Sequence, residues 1–280
     1  MSNQKYLIIA DTIAKLYVID INTGELLWAK KNSAPFNSQI KIFDDKFFVV
    51  DFENILKGYF IANGEEVLSI KTENSLIRSQ KKLSMVIVDQ NIYFNNSLGD
   101  INSVNIESGE LIWQIPTQNN LVFNDSFFLK TSDMVTDKDN LYLSNNKSQF
   151  FSINLETGNT NWLQEVSSVL RPVVINDLIF TITPKGYLVV IDKKTGNIIR
   201  INNIFKGTKI NKKNNIEPTG FIVGTNSLFI TTSNGRLLEV DIMSGQTKSI
   251  TKIDNNKINR PFILNQNMFI ITDNSIIKLN

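Results

Sequence analysis

The sequence predicts an all-β fold, a β-propeller of four-stranded antiparallel blades, and three observations lead there. A strand–turn–strand motif recurs at a steady interval. The segments between copies are strand-length apolar runs. All three tryptophans of the 280-residue chain occupy one position of the motif.

The motif is clearest in Leu16-Tyr-Val-Ile-Asp-Ile-Asn-Thr-Gly-Glu-Leu-Leu-Trp28. Leu16, Val18 and Asp20 alternate with Tyr17 and Ile19, the period-2 pattern of a half-buried strand. Asn22-Thr23-Gly24 is turn chemistry, in which Gly supplies a positive φ and Asp20 or Asn22 accepts turn amides. Glu25–Trp28 returns as the partner strand. Val104-Asn-Ile-Glu-Ser-Gly-Glu-Leu-Ile-Trp113 and Ile153-Asn-Leu-Glu-Thr-Gly-Asn-Thr-Asn-Trp162 repeat it closely. The copies ending at Arg200 and Ser249 keep the turn and lose the Trp, and Phe60–Leu68 is a worn copy. The turn glycines are Gly24, Gly64, Gly109, Gly158, Gly196 and Gly245, separated by 38 to 49 residues. Short strands at a period near 40 residues indicate propeller blades rather than a sandwich. Trp28, Trp113 and Trp162 each stand four residues after a turn glycine. There the ring can be buried against the next blade while the indole N–H finds a carbonyl.

Taken in order, the first repeat begins mid-blade, with strands at Tyr6–Ala10, Leu16–Asp20 and Glu25–Lys30 and no innermost strand. The second has Gln39–Phe43, Phe47–Asp51, Leu56–Ile61 and Glu66–Ile70, and Gly58 inside a strand suggests a bulge. The third follows the inter-blade segment Glu73–Lys82 with Ser84–Val88, Asn91–Asn95, Asp100–Asn105 and Glu110–Ile115, which Pro116 ends. The fourth holds an extra apolar-aromatic piece, Leu121–Phe123 and Phe127–Leu129, then Met134–Thr136, Leu141–Ser144, Gln149–Asn154 and Asn159–Gln164. The fifth has Pro172–Ile175, Leu178–Thr183, Tyr187–Asp192 and Asn197–Ile201, with a hairpin at Pro184-Lys-Gly186. Lys206–Glu217 reads as a solvated polar loop. The sixth has Gly220–Val223, Leu228–Thr232, Arg236–Asp241 and Gln246–Ile250, with a turn at Ser233-Asn-Gly235. The last, Arg260–Leu264, Asn267–Thr272 and Ile276–Leu279, stops after its third strand. The expectation is one propeller domain over 1–280, with repeats at about 1–34, 35–74, 75–117, 118–168, 169–205, 206–254 and 255–280. With the first and last repeats each a strand short, an eight-bladed propeller lacking its N-terminal blade is the economical account.

Composition narrows the chemistry. The net charge is +2, with 29 basic and 27 acidic residues scattered along the chain, so no nucleic-acid patch is expected. The apolar runs are too short to span a membrane as helices. Met1-Ser-Asn-Gln-Lys leads straight into a strand, with no visible signal peptide. The chain contains neither His nor Cys, which removes the commonest general base, the commonest metal ligand and the thiol nucleophile together. There is no G-x-S-x-G, G-x-G-x-x-G or P-loop motif. Asp137-Lys-Asp-Asn140 lacks the Gly and distal Glu of a calcium loop. Asp20, Asn105, Asn154, Asp192 and Asp241 all lie four residues before a turn glycine. That shared place assigns them to the turn amides rather than to a ring of catalytic carboxylates. No catalytic residue, metal or cofactor is expected from these residues.

The recurring [Val/Leu]-x-x-Asp/Asn-x-x-Thr/Ser-Gly-x-x-x-Trp pattern resembles the repeat of the pyrroloquinoline-quinone-like β-propellers. It covers nearly the whole chain. Two branches of that superfamily are relevant: the quinoprotein alcohol dehydrogenases, and the outer-membrane protein assembly factors of the BamB family. The chain resembles the second branch more closely, since dehydrogenases are usually about twice this length and carry adjacent cysteines under the quinone. The resemblance implies a non-catalytic, periplasmic, outer-membrane-associated scaffold. Its membrane attachment would be a lipid anchor absent from this chain, and its partner the periplasmic domains of the barrel protein BamA. It also places Glu73–Lys82 where the family carries a Leu/Arg-bearing partner-binding loop, making Leu76 and Arg78 the candidate contact residues. A quinone-dependent dehydrogenase or another ligand-binding propeller is the alternative.

Overall fold

The computed structural model describes residues 5–73, 81–117, 129–208 and 216–279. Among them there is no helix long and apolar enough to cross a membrane. The strands assemble into seven antiparallel sheets, each a meander in chain order, which is the blade of a β-propeller. Two compact units make up the chain, residues 1–140 with 154–159 and residues 141–153 with 160–280.

The first unit opens with a three-stranded sheet, β1 (Tyr6–Ala10), β2 (Lys15–Asp20) and β3 (Leu26–Lys31). A four-stranded sheet follows: β4 (Lys41–Phe43), β5 (Lys46–Val50), β6 (Ile55–Phe60) and β7 (Glu66–Lys71). The next is β8 (Met85–Val88), β9 (Asn91–Asn95), β10 (Ile101–Asn105) and β11 (Leu111–Ile115). The fourth sheet in chain order, most of whose residues fall in the second unit, runs β12 (Val135–Thr136), β13 (Asn140–Ser144), β14 (Phe150–Asn154) and β15 (Thr160–Gln164). The second unit contains β16 (Val173–Ile175), β17 (Leu178–Ile182), β18 (Tyr187–Asp192) and β19 (Ile198–Asn203) as one sheet. It also contains β20 (Pro218–Val223), β21 (Ser227–Thr232), β22 (Arg236–Asp241) and β23 (Thr247–Lys252). Its last sheet has three strands, β24 (Phe262–Leu264), β25 (Asn267–Ile271) and β26 (Ile276–Leu279). These boundaries lie within one or two residues of those expected from the sequence. The two three-stranded sheets are the repeats expected to be a strand short.

Alternation carries each blade's side chains to two different cores. In β5, Phe47 and Val49 join Ile8, Leu16 and Val18 of the first blade. Phe48 and Val50, their chain neighbours, join Met85, Ile92 and Phe94 of the third. In the second unit Ile179, Val189 and Ile191 pack with Tyr142 and Phe150. Phe180, Ile182, Leu188 and Val190 pack with Phe221, Leu228 and Ile230. Middle strands are therefore apolar on both faces, and β5, β9, β13 and β17 each hold four consecutive buried residues. Each such aliphatic or aromatic side chain contributes roughly 1.5–3 kcal/mol by leaving water.

A bulge interrupts the last strand pair of each of the first six blades at one place: Val18/Ile19, Gly58/Tyr59, Ser103/Val104, Ser152/Ile153, Val190/Ile191 and Glu239/Val240. The bulge expected at Gly58 is present. Its recurrence at Val, Ser and Glu shows that the turn that follows sets it, not the glycine. Gly58 serves packing instead, since a Cβ there would lie 2.7 Å from the Phe48 ring.

Candidate functional site

The motif is built from its turn outward. In the first blade the Gly24 N–H donates to the Asp20 carbonyl at 2.9 Å and the Asp20 N–H to the Glu25 carbonyl at 3.0 Å, closing the hairpin. The Asp20 side chain accepts the amides of Asn22 and Thr23 at 2.8 and 3.2 Å. Asn105, Asn154, Asp192 and Asp241 each accept the amides two and three residues on in the same way. The five side chains are thus turn elements, as their position predicted. The Thr195 amide and hydroxyl hold the Asp192 carboxyl below its ordinary value. The Ser244 amide, the Lys248 ammonium and the Ser244 hydroxyl hold Asp241 lower still. Asp137 likewise accepts the amides of Asp139 and Asn140, which makes Asp137–Asn140 a turn.

The tryptophans pin one blade to the next. The indole N–H groups of Trp28, Trp113 and Trp162 donate to the carbonyls of Ile61, Leu155 and Lys193 at 2.7, 3.0 and 3.0 Å. Each acceptor stands three residues before the next turn glycine. The ring occupies the space that a side chain on that glycine would need: a Cβ on Gly64, Gly158 or Gly196 would come within 2.6–2.9 Å of it. The sequence did not signal that Arg200, in the Trp position of the fifth blade, makes the same connection. Its Nη2 donates to the Ile242 carbonyl at 2.7 Å and its Nη1 to that of Met243. Leu68 takes the place in the second blade and packs against Gly109 with no donor.

Leu76 and Arg78 lie outside the described residues, as do Leu121–Phe123 and Phe127–Phe128. The structure does show what holds the two ends of the segment carrying Leu76 and Arg78. Asn54, fully buried with φ 60°, donates from Nδ2 to the Glu73 carbonyl at 2.9 Å. Its Oδ1 accepts the Ser97 amide at 3.0 Å and the Ser97 hydroxyl at 2.8 Å, and its own carbonyl accepts the Thr72 hydroxyl at 2.9 Å. At the other end the Leu83 N–H donates to the Asn37 carbonyl and the Gln39 N–H to that of Leu83, at 2.6 and 3.0 Å. Residues on both sides of that segment are therefore tied to the second blade.

The second blade buries two charged side chains, Asp51 and Lys57. Asp51 accepts the amides of Glu53 and Ile55 on Oδ1 and the Asn32 amide on Oδ2, while Lys57 donates to Asn32 at 2.7 Å. Burial pushes the Asp51 carboxyl up despite these bonds. Burial lowers Lys81 against the opposing charge of Asp133. Among the described residues no group of three or more Asp or Glu side chains is placed to hold a metal ion.

These features match known proteins at the level of fold. The crystal structure of BamB from Moraxella catarrhalis is similar with a TM-score of 0.77 at 16% identity, over 98% of this chain and 78% of that one. Sqt1 of Saccharomyces cerevisiae gives a TM-score of 0.74 at 12% identity, over 95% of this chain and 77% of that one. The computationally designed Ika8 protein gives 0.63 at 13% identity, over 99% and 94%. No curated protein matches the sequence. The family model described as outer membrane protein assembly factor BamB matches residues 1–202, more than half of the chain. On that match, the chain belongs to the BamB family of outer membrane protein assembly factors.

Proposed function

We propose that this protein is a non-catalytic scaffold in the assembly of outer-membrane β-barrel proteins, acting in the periplasm against the outer membrane. The family match over residues 1–202 carries the proposal. The scaffold is a single propeller domain with the repeat boundaries given above. Its partner is the periplasmic part of a BamA-like barrel protein, and Leu76 and Arg78 are the contact residues. Two further observations support it. The carboxyl and amide side chains of the repeat are spent on turn amides, so they add rigidity rather than reactivity. The segment bearing Leu76 and Arg78 leaves and rejoins the blades at hydrogen-bonded anchors, Glu73 and Leu83. Anchoring of that kind lowers the ordering cost of binding, and Arg is enriched among residues that dominate interface energy.

A pull-down with the purified periplasmic domains tests the proposal. Retention of the wild-type chain, lost on combining Leu76→Ala with Arg78→Ala, is the expected result. Undiminished retention of the double variant removes those residues from the interface, and no retention of the wild type overturns the proposed partner. Titration with pyrroloquinoline quinone and calcium tests the non-catalytic part, which a saturable change in quinone absorbance would refute.

A further inference from the structure

The innermost strands of the fifth and seventh blades are each preceded by the same dipeptide, Arg171-Pro172 and Arg260-Pro261. Register confirms the equivalence, because each Arg lies five residues before a left-handed Asn, Asn176 and Asn265. Proline after each arginine keeps that arginine's backbone extended. In the sixth blade the corresponding residues are Gly220-Phe221, since Ile222 pairs with Phe229 as Val173 pairs with Phe180. A Cβ on Gly220 would come within 2.6 Å of the Arg260 Cα, so only glycine lets the neighbouring strand start so close. The Arg260 Nε donates to the Phe221 carbonyl at 2.9 Å, which fixes the plane of its guanidinium.

Arg171 and Arg260 line one open groove of about 490 Å³ with Val173, Ile222, Phe262 and Ile263, and among the described residues no Asp or Glu lines it. Phe262 and Ile263 are 38% and 56% exposed. The volume is that of a small-ligand site. Two guanidiniums call for an anion, and Arg matches a carboxylate with paired hydrogen bonds. The rest of the lining offers aliphatic and aromatic surface, with no side-chain donor for sugar hydroxyls or for a phosphate's further oxygens. A net charge of only +2 supplies no long-range field for a polyanion.

We propose that this groove binds a short peptide segment in which a carboxylate lies between apolar side chains. The carboxylate is held by Arg171 and Arg260, and the apolar side chains lie on Val173, Ile222 and Phe262. This site is separate from the segment carrying Leu76 and Arg78, and the two fail separately.

The test is fluorescence polarisation with a fluorescein-labelled, C-terminally amidated peptide Gly-Phe-Glu-Phe, alongside its counterpart with Gln for Glu. Saturable binding of the Glu peptide is expected, weakened about tenfold in the Gln peptide and about tenfold by Arg171→Gln. Arg171 is exposed, so this variant keeps the proposal testable if Arg260→Gln fails to fold. Equal affinity for the two peptides, unchanged affinity in Arg171→Gln, or no saturation up to about 1 mM overturns the proposal. Displacement by inorganic phosphate at the concentration at which the unlabelled Glu peptide displaces also overturns it, since the groove would then be reading charge alone. Absence of peptide binding together with a successful pull-down would remove this groove and leave the assembly role standing.

Discussion

Arg200 donates to the Ile242 carbonyl at 2.7 Å, the bond that tryptophan makes in three other blades. The acceptor has the same place in all four cases, three residues before the next turn glycine. What repeats is therefore a donor on a long, flat side chain directed at a fixed carbonyl. Indole and guanidinium both meet that requirement, while Leu68 fills the space and leaves the bond unmade.

Replacing Arg200 by Met keeps most of the volume and removes both carbonyl contacts. A loss of about 1–3 kcal/mol is expected, the range for hydrogen bonds from a charged donor. Arg200→Lys should fall between, because one ammonium cannot reproduce a planar two-pronged donor. Urea unfolding monitored by tryptophan fluorescence measures both. A Met variant indistinguishable from wild type would show that the Ile242 and Met243 contacts add nothing.

Gly196 and Gly24 adopt nearly the same backbone, φ 75° and 73°, in different surroundings. A Cβ on Gly196 would lie 2.6 Å from the Trp162 ring, whereas one on Gly24 would meet nothing within 4 Å. Gly24→Ala should cost about 1–2 kcal/mol, the left-handed penalty alone. Gly196→Ala adds an overpacking cost of about 1–3 kcal/mol. Equal losses in the two variants would mean that the Trp162 ring moves aside freely.

Acid should weaken the fold through the turn carboxylates. Asp192 and Asp241 are held below their ordinary values in the folded chain. A lowered folded value gives a contribution that is complete above the unfolded value of about 4 and is lost as pH falls toward the folded one. Stability should therefore drop below about pH 4. Asp192→Asn combined with Asp241→Asn should flatten that drop, because an amide oxygen still accepts the two turn amides, as Asn105 and Asn154 do. Thermal melts from neutral pH downward decide the matter; an unchanged acid slope in the double variant would rule these two groups out.

Asn54 ties three segments from one buried side chain, bonding the Glu73 carbonyl and both the amide and hydroxyl of Ser97. Asn54→Ala leaves those buried groups without this partner and places Ala at φ 60°. A loss of about 3 kcal/mol is expected from unsatisfied groups and backbone strain together. Asn54→Asp keeps the acceptor for Ser97 and loses the donor to Glu73, so it should weaken retention in the pull-down more than its stability loss accounts for. Retention that follows stability alone would argue against a positioning role for Asn54.

Much of the fold was legible because its determinants are local. Asp20, Thr23 and Gly24 form their turn from neighbours in the chain, and Gly58 stood out as a glycine inside a strand. Arg200 was not legible, since nothing near it in sequence tells that the Ile242 carbonyl lies within reach. Nor were Arg171 and Arg260, which are 89 residues apart and share a groove only through the placement of their strands.

By itself, the sequence determined the blade: its strands, its turn and the place of its tryptophans, because short-range backbone hydrogen bonds and alternation of apolar residues act over a few positions. Tertiary structure alone decided which carbonyl each long side chain reaches, why Gly196 must lack a Cβ, and which arginines line one groove. Those outcomes depend on distances between strands far apart in the chain, and such distances are set only when the two faces of each sheet are buried against different neighbours.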